Sequence, residues 1–306
     1  MEEESPAPSV AQSAQPTFLN GDAFPPLVYG SAIRERPKQA NIRAAFRKGY
    51  RGLDTASSRG LHDEQQDGQA LKDLLASRSN SLQLNIKRED IWIQTKFSIA
   101  LDQSDPWPYD PGDPIALQIL KSIQRSLINL GVDVIDVYFL SSQLSTFEET
   151  LSAWEVMETL VQRGIVRYLG ICHVNADLLR RLLGRVTTKP AFVQNEFVLD
   201  DGCDSHVRSI CKAQGIAYQV FGLFWKHNSG LLSLAPVQQL ARSFDFTAQV
   251  ALLVLILASA ADEGLRLSIL DGTMDEHHME MNLQCPKAFH SVQNPLIDQF
   301  RLISGF

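Results

Sequence analysis

The sequence predicts an α/β fold in which eight β-then-α units form a single (β/α)8 TIM barrel. Short apolar runs rich in β-branched residues alternate with longer segments of helical periodicity along the chain. The 306 residues suffice for one such barrel, which typically takes about 250 residues. The rival layout, an open doubly wound sheet, is disfavoured because the sequence contains no G-x-G-x-x-G turn.

The N-terminal residues predict an arm and a hairpin before the first barrel strand. Residues 1–15 start with acidic residues and continue with Ser, Pro, Ala and Gln, a composition typical of disorder. They lack a basic start followed by an apolar core, so we expect no signal peptide. Thr17–Leu19 and the turn residues Asn20-Gly21 predict a short hairpin. We therefore expect a disordered arm over residues 1–15 and a barrel domain over residues 16–306.

The first four strands are predicted from apolar runs at Leu27–Gly30, Gly52–Asp54, Ile91–Lys96 and Val134–Leu140. The last run is almost continuously apolar, which is typical of a parallel strand buried on both faces of its sheet. Helical periodicity predicts a helix after each of the first three strands, over Lys38–Lys48, through Ala70–Leu75 and through Ile115–Leu127.

The helix after the fourth strand is predicted from apolar residues that share one face, namely Leu151, Trp154, Met157 and Val161. We expect Ser145 and Glu148 to form a capping box at its start and Gly164 to end it.

The remaining strands are predicted at Val166–Cys172, Ala191–Glu196, Ala217–Phe221 and Arg266–Leu270. Helices are expected over Leu178–Leu183, Val207–Gln214 and Thr247–Glu263, and a short one near Asp275. The longest apolar run, Val250 to Ala261, is shorter than the roughly 20 residues of a membrane span, so it predicts a buried helix.

Composition excludes several classes of function. The net charge of −7 and the lack of a Lys/Arg cluster argue against a nucleic-acid partner. The four cysteines are irregularly spaced and form no C-x-x-C pair, which argues against a disulfide framework and a zinc site. We therefore predict a cytoplasmic protein with no metal, no membrane contact and no nucleic-acid partner.

Functional residues of such a barrel lie where the strands end, at its C-terminal face. The residues expected there are Asp54, Lys96, Ser141, Cys172, His173, Gln194, Glu196, Phe221 and Gly222. Asp54 and Lys96 end neighbouring strands, so we expect them to form a buried ion pair that influences the pKa of any acid beside it.

Several segments resemble motifs of the aldo-keto reductase family, in order and on the expected strands over about residues 26 to 284. Gly49–Ala56 resembles G-x-R-x-x-D-T-A, Ile93–Lys96 the strand ending in T-K, Gly164–Gly170 the motif G-x-V-R-x-x-G, and Phe192–Glu196 the strand V-Q-N/x-E. Gly272-Thr273 with His278 and Asn282 resembles the ending of a fungal-looking branch.

The resemblance implies an active site of Asp, Tyr, Lys and His, of which Asp54 and Lys96 carry over. The Tyr position is Arg59 in the commonest spacing and His62 in the branch with a longer loop. The second alignment is favoured because residues 68–71 then match the family motif G-x-A-L. Ser141 stands at the His position. The expected catalytic residues are therefore Asp54, His62, Lys96 and Ser141, with His62 as a surrogate acid.

The resemblance also implies a nicotinamide cofactor, NADP or NAD. The residues that it assigns to the cofactor are His173, Gln194, Phe221, Gly222, Thr273, His278 and Asn282. Phe221 would stack on the nicotinamide ring, with Gln194 and His173 at its carboxamide. Residues 271–278 contain three carboxylates and two histidines, which weakens the preference for a 2′-phosphate. Trp92 and Trp225 are candidate fluorescence reporters of binding.

The function implied is an NAD(P)H-dependent oxidoreductase that acts on a small-molecule carbonyl or alcohol, in specialised metabolism, as a monomer or weak dimer. The replaced Tyr and His leave two alternatives. One is a barrel that has lost redox chemistry and binds a small molecule or a protein. The other is a non-redox isomerase, cyclase or dehydratase in which His62 and Lys96 supply acid–base chemistry.

Overall fold

The computed structural model describes residues 16–17, 20–32, 38–58, 60–76, 86–100 and 107–306. The predicted arm over residues 1–15 lies outside the described residues, as do Arg59 and the last two residues of the predicted first hairpin strand. An antiparallel bridge between Thr17 and Ala23 closes the hairpin before the barrel.

Eight parallel strands form a closed ring in sequence order, with β8 paired to β1. The strands are β1 Leu27–Gly30, β2 Gly52–Asp54, β3 Trp92–Phe97, β4 Ile135–Leu140, β5 Val166–Cys172, β6 Phe192–Glu196, β7 Ala217–Phe221 and β8 Leu267–Asp271. The predicted (β/α)8 barrel is confirmed, and the open sheet is excluded because the ring is closed.

Helices surround the ring. They are α1 Lys38–Lys48, α2 Glu64–Ala76, α3 Ile115–Leu130, α4 Phe147–Gln162, α5 Ala176–Leu183, α6 Ser205–Gln214, α7 Ala235–Phe244, α8 Ala248–Glu263, α9 Glu276–Asn282, α10 Cys285–Ala288 and α11 Asn294–Ser304. Within the described residues, 3-10 segments lie at Arg88–Asp90, Leu199–Asp204, Lys226–Ser233 and Phe289–Ser291.

Several predicted bounds were wrong by one residue. Strands β3 and β8 lie one residue further along the chain than predicted, β4 and β6 start one residue later, and the capping box of α4 is shifted by one residue. The capping box of α4 is formed by Thr146 and Glu149, whose side chains each accept the other's backbone N–H at 3.1 Å. Both Ser145-x-x-Glu148 and Thr146-x-x-Glu149 fit the motif. The N-cap is Thr146, which has the extended backbone of an N-cap residue (φ −128°, ψ 160°). The last strand also ends at Asp271 rather than Leu270, because Asp271 pairs with Tyr29 of β1.

The predicted apolar helix is α8, and its residues 250–260 are buried against the barrel. Within the described ranges, no single helix is long and apolar enough to cross a membrane; α7 and α8 meet that test only together, as a pair bent by 108°.

The interior of the ring has an apolar layer and a polar layer. Phe24, Trp92 and Phe192 pack together near the N-terminal ends of the strands, and Phe139 extends this cluster up to Lys96, whose Nζ is 5.8 Å from the Phe139 ring. Polar side chains of β2, β3, β6 and β7 lie above them, towards the C-terminal face. Functional chemistry is therefore confined to the upper half of the barrel.

Candidate active site

The core of the site is the ion pair of Asp54 and Lys96, which forms as expected. Lys96 Nζ lies 2.6 and 2.7 Å from the two Asp54 carboxylate oxygens and donates to the carbonyl oxygen of Thr55 at 3.0 Å. The Asp54 side chain is 4% exposed and the Lys96 side chain 10%. Neighbouring strand ends place the two charges, since Asp54 ends β2 and Lys96 is the penultimate residue of β3. The ammonium therefore has a fixed position at the mouth of the barrel.

Three glutamines support the pair from below. Gln94 donates to Asp54 Oδ1 at 2.7 Å and Gln194 donates to the same oxygen at 3.2 Å. Both also donate to the side-chain oxygen of Gln219, at 2.6 and 2.7 Å. These additional donors fix the orientation of the buried carboxylate.

Sequence reasoning did not identify Gln94 and Gln219 as site residues. The signal that could have found Gln94 is its position two residues before Lys96, which puts both side chains on the inner face of β3. Gln219 likewise lies two residues before the predicted site residue Phe221 and on the same face of β7. The bonds among Asp54 and the three glutamines join residues 25 to 140 positions apart, which the closed ring brings together.

Gln194, a predicted cofactor residue, forms hydrogen bonds inside the barrel. It is 3% exposed, and its amide donors already serve Asp54 and Gln219. The Cys172 thiol donates to its carbonyl oxygen at 3.4 Å. Contact with a nicotinamide carboxamide therefore requires Gln194 to exchange a partner inside the barrel.

The two predicted replacements for Tyr and His lie on different parts of the rim. The His62 ring has Nδ1 3.5 Å from the hydroxyl of Ser31, which follows β1, and Ser31 donates to Asp67 at 2.8 Å. Ser141 follows β4, and its backbone N–H donates to the carbonyl of Phe97, the residue after Lys96. Ser141 is thus directly beside the strand end that carries the ammonium.

His173 lies at the end of β5 with a left-handed backbone (φ 52°), a conformation that costs energy for a non-glycine residue and often marks a functional site. Its ring packs edge-on against Phe221 at 5.5 Å. Partial burial lowers the pKa of His173, the Glu196 carboxylate opposes that shift, and the Lys96 ammonium adds to it. His173 is therefore favoured as a neutral imidazole.

A cleft of about 420 Å³ opens between the loop after β7 and the start of α9. Four of the predicted cofactor residues line it, namely Gly222, Thr273, His278 and Asn282. Trp225 forms part of its wall, whereas His173 lines a separate cavity of about 200 Å³. The cleft has the size of a small-molecule site.

Two carboxylates at the α9 end of the cleft accept hydrogen bonds from other groups of the chain. Asp271 is 2% exposed and accepts hydrogen bonds from Tyr50 and, at 2.9 Å, from Asn282. Asp275 accepts the backbone N–H groups of His277 and His278 at 2.8 and 2.9 Å. These donors therefore already serve carboxylates of the chain itself.

Burial governs the remaining titratable groups near the site. It raises the pKa of Tyr50, and the Asp271 carboxylate reinforces that shift. It also raises the pKa of the Cys172 thiol. In the part of the chain that the structure describes, no group of three His, Cys, Asp or Glu side chains could hold a metal ion.

Known proteins match the chain at three levels. The family model described as "Aldo/keto reductase family" matches residues 28–236. D-galacturonate reductase of Fragaria ananassa is 30% identical over 213 residues, covering 63% of this chain and 60% of that protein. Aldo-keto reductase AKR2E4 of Bombyx mori is 28% identical over 187 residues, covering 59% of this chain and 54% of that protein. The chain thus covers little more than half the length of these relatives.

The fold is also found in solved structures. A crystal structure of an aldo-keto reductase (AKR2E5) complexed with NADPH superimposes with a TM-score of 0.72 at 19% identity, covering 95% of this chain and 88% of that one. At that identity the likeness shows a shared fold. The family match over most of the barrel, together with the closed ring and the Asp54–Lys96 pair, shows that this chain belongs to the aldo/keto reductase family.

Proposed function

We propose that this protein is an NAD(P)H-dependent oxidoreductase that interconverts a carbonyl group and an alcohol on a small molecule. The observation that carries the proposal is the Asp54–Lys96 ion pair at the C-terminal mouth of a barrel of this family. Two similar proteins support the proposal. One relative is a D-galacturonate reductase, and one of the solved structures is an aldo-keto reductase complexed with NADPH.

The cofactor proposed is NADP or NAD, held in the cleft beside α9. Gly222, Thr273, His278 and Asn282 would contact it there, and Phe221 and His173 would lie towards its nicotinamide end. When bound, a reduced nicotinamide supplies a hydride. Packing of the aromatic ring of Phe221 against Trp225 at 5.7 Å gives this side of the mouth an apolar wall.

Lys96 would act on the substrate oxygen chiefly through its charge. Its N–H groups already point at Asp54 and Thr55, so the oxygen that gains negative charge would be stabilised by a nearby, preorganised ammonium. Asp54 holds that ammonium in place, and the Ser141 hydroxyl would orient the substrate from the neighbouring strand end. His62 remains the proton donor suggested by the motif alignment.

A second candidate function rests on the same contacts. Because the donors of Lys96 and Gln194 are already used inside the barrel, the structure also favours a barrel that binds a small molecule without redox chemistry. Non-redox acid–base catalysis at His62 and Lys96 belongs to this alternative. Turnover that depends on added dinucleotide would eliminate it.

The test is reduction of a broad carbonyl panel by the purified protein with NADPH and with NADH. We expect turnover, and a loss of about 100-fold or more in Lys96→Met because a positioned ionic group typically contributes 10²–10⁴. Lys189→Met is the matched control, since Lys189 is exposed and donates to Gln214 away from the mouth. Absence of turnover with every carbonyl and both dinucleotides would contradict the proposal.

The wider setting is proposed from the sequence alone. We propose one barrel domain over residues 16–306 preceded by an arm over residues 1–15, acting in specialised metabolism in the cytoplasm as a monomer or weak dimer. Light scattering on the purified chain measures its oligomeric state directly.

A further inference from the structure

Two buried carboxylates lie at the start of α2, beside the strands that carry Asp54 and Lys96. Glu64 is the first residue of α2 and Asp67 the fourth, so their side chains share one face of the helix. Glu64 is 4% exposed and Asp67 is fully buried, so this face is turned towards the barrel. A carboxylate is costly to bury unless hydrogen-bond donors satisfy it. The donors to these two groups, the α2 carboxylates, include residues at the ends of the strands.

Asp67 holds the residue that follows Asp54 in the chain. Thr55 Oγ1 donates to Asp67 Oδ2 at 2.6 Å, and the Thr55 carbonyl oxygen accepts from Lys96 Nζ at 3.0 Å. The same Asp67 oxygen accepts the Ser31 hydroxyl at 2.8 Å, and the Ser31 backbone N–H donates to the Asp54 carbonyl at 2.9 Å. One carboxylate oxygen therefore fixes both a carbonyl that contacts the ammonium and the backbone of Asp54.

Glu64 holds the residue that precedes Lys96. Side chains alternate along β3, so Thr95 points outward to the helices while Lys96 points into the ring. Thr95 Oγ1 donates to Glu64 Oε1 at 2.7 Å. Asn129, near the end of α3, donates to Glu64 Oε2 at 3.3 Å. The backbone of β3 is therefore anchored from outside the ring, at the position next to the residue that carries the ammonium.

Close packing of α2 against α3 fixes the position of both carboxylates. A Cβ at Gly68, the residue after Asp67, would lie 1.9 Å from the carbonyl oxygen of Asn129, so the two helices approach as closely as a glycine allows. Negative charge is also favourable at the N-terminus of a helix, which offsets part of the cost of burying the two groups. The α2 carboxylates are therefore held on a rigid support and fix β2 and β3 relative to each other.

We propose that the α2 carboxylates are positioning residues of the buried ion pair and act through the hydroxyls of Thr55 and Thr95. The inference rests on the proposed function, in which the Lys96 ammonium stabilises the substrate oxygen. That stabilisation requires the ammonium to have one position, because a preorganised charge needs no rearrangement during the reaction. A displacement of about 1 Å reduces a rate by up to about 100-fold. The α2 carboxylates would prevent such a displacement.

A purely structural role makes a different prediction at each threonine. Val keeps the shape of Thr and loses the hydroxyl, whereas Ser keeps the hydroxyl and loses a methyl group. If the two threonines only pack against α2, the Ser variants should be the less stable ones, and kcat of the folded protein should not change. If their hydroxyls fix the ion pair, the Val variants should lose kcat and the Ser variants should retain it.

The experiment measures kcat and KM of the full chain with NADPH and NADH, on 4-nitrobenzaldehyde or on the carbonyl compound that the wild type reduces fastest. In Thr55→Val we expect kcat to fall about tenfold with little change in the KM of the dinucleotide, while Thr55→Ser stays within about threefold of wild type. Thr95→Val and Thr95→Ser should follow the same order. Thr159→Val is the control, since the Thr159 hydroxyl donates to the Val156 carbonyl within α4.

Circular dichroism and melting establish that each variant is folded before its kcat is compared. The inference is overturned if the folded Val variants keep the wild-type kcat, or if each Ser variant loses as much kcat as its Val counterpart. If the wild type turns over and the Val variants match it, this inference fails and the proposed function stands. If the wild type binds neither dinucleotide and reduces no carbonyl, the proposed function fails.

A stability measurement tests the positioning of the ion pair without any turnover. Asp67→Asn keeps the size of the side chain and one acceptor oxygen but loses the charge. Combined with Lys96→Met, it should lower the urea midpoint by less than the sum of the two single losses, because the pair that it positions is already broken. Additive losses would overturn the inference, including in a protein whose Val variants do not fold.

Discussion

Replacing Lys96 by Met leaves the Asp54 carboxylate buried and without its counter-charge. The variant removes two contacts at 2.6 and 2.7 Å from a side chain that is 4% exposed, while Met preserves most of the aliphatic volume. Breaking one side of a buried ion pair costs about 3–5 kcal/mol. Gln94 and Gln194 still donate to Asp54, so we expect the low end, about 3 kcal/mol of unfolding free energy.

A double-mutant cycle measures the interaction free energy between Asp54 and Lys96. Asp54→Asn removes the negative charge and leaves the ammonium unpaired, so it should also destabilise the protein. The double variant Asp54→Asn with Lys96→Met carries no unpaired charge and should lose less than the sum of the singles. We expect a coupling free energy of about 1–3 kcal/mol.

The assay is urea unfolding followed by circular dichroism, with free energies obtained by linear extrapolation. Lys189→Met, an exposed lysine, should change stability by less than about 0.5 kcal/mol. Additive single losses, or a Lys96→Met variant as stable as the control, would refute the placement of the two charges as one buried pair.

Three further predictions concern the cleft, the thiols and one helix contact. His278→Arg adds a permanent charge to the cleft and should raise affinity for NADPH over NADH about tenfold, measured by fluorescence titration. Burial raises the pKa of Cys203 to about 12 and those of the other three thiols above their ordinary value, so at pH 8 the native thiols stay protonated and should resist 5,5′-dithiobis(2-nitrobenzoate) until urea unfolds the chain. One fast-reacting native thiol would contradict this. Gly68→Ala places a Cβ 1.9 Å from the carbonyl oxygen of Asn129 and should cost at least about 1–3 kcal/mol in unfolding free energy, whereas Gly112→Ala, whose nearest atom is 3.4 Å away, should melt like wild type.

The architecture was predictable because its signals are local and periodic. The helix over Lys38–Lys48 was predicted with the observed bounds, and so were the strands β1, β2, β5 and β7. Errors of one residue arose where two neighbouring readings fit the same motif, as at the start of α4. Strand ends in a ring are set by pairing with a partner far along the chain, which a single run of residues does not encode.

The site was predictable only in part, for the same reason. Asp54 ends β2 and pairs with Gln94 of β3, so Lys96, two residues further along the same face of β3, lies close to Asp54. The contacts of the α2 carboxylates with the strand ends depend on how the helix packs against the ring, which a sequence pattern does not reveal. Trp92 was a candidate fluorescence reporter, but its side chain is only 8% exposed. It lies four residues before Lys96 on the same face of β3, which places it in the apolar layer near the N-terminal end of the barrel.

Tryptophan fluorescence during titration with NADPH and NADH tests the central claim that the cleft beside α9 holds a nicotinamide dinucleotide. Trp225 lines that cleft and is 51% exposed, so a bound dinucleotide should quench its emission in a saturable way. In Trp225→Phe the quench should largely disappear while calorimetry still detects binding. Unchanged wild-type emission at millimolar concentrations of both dinucleotides would contradict the account.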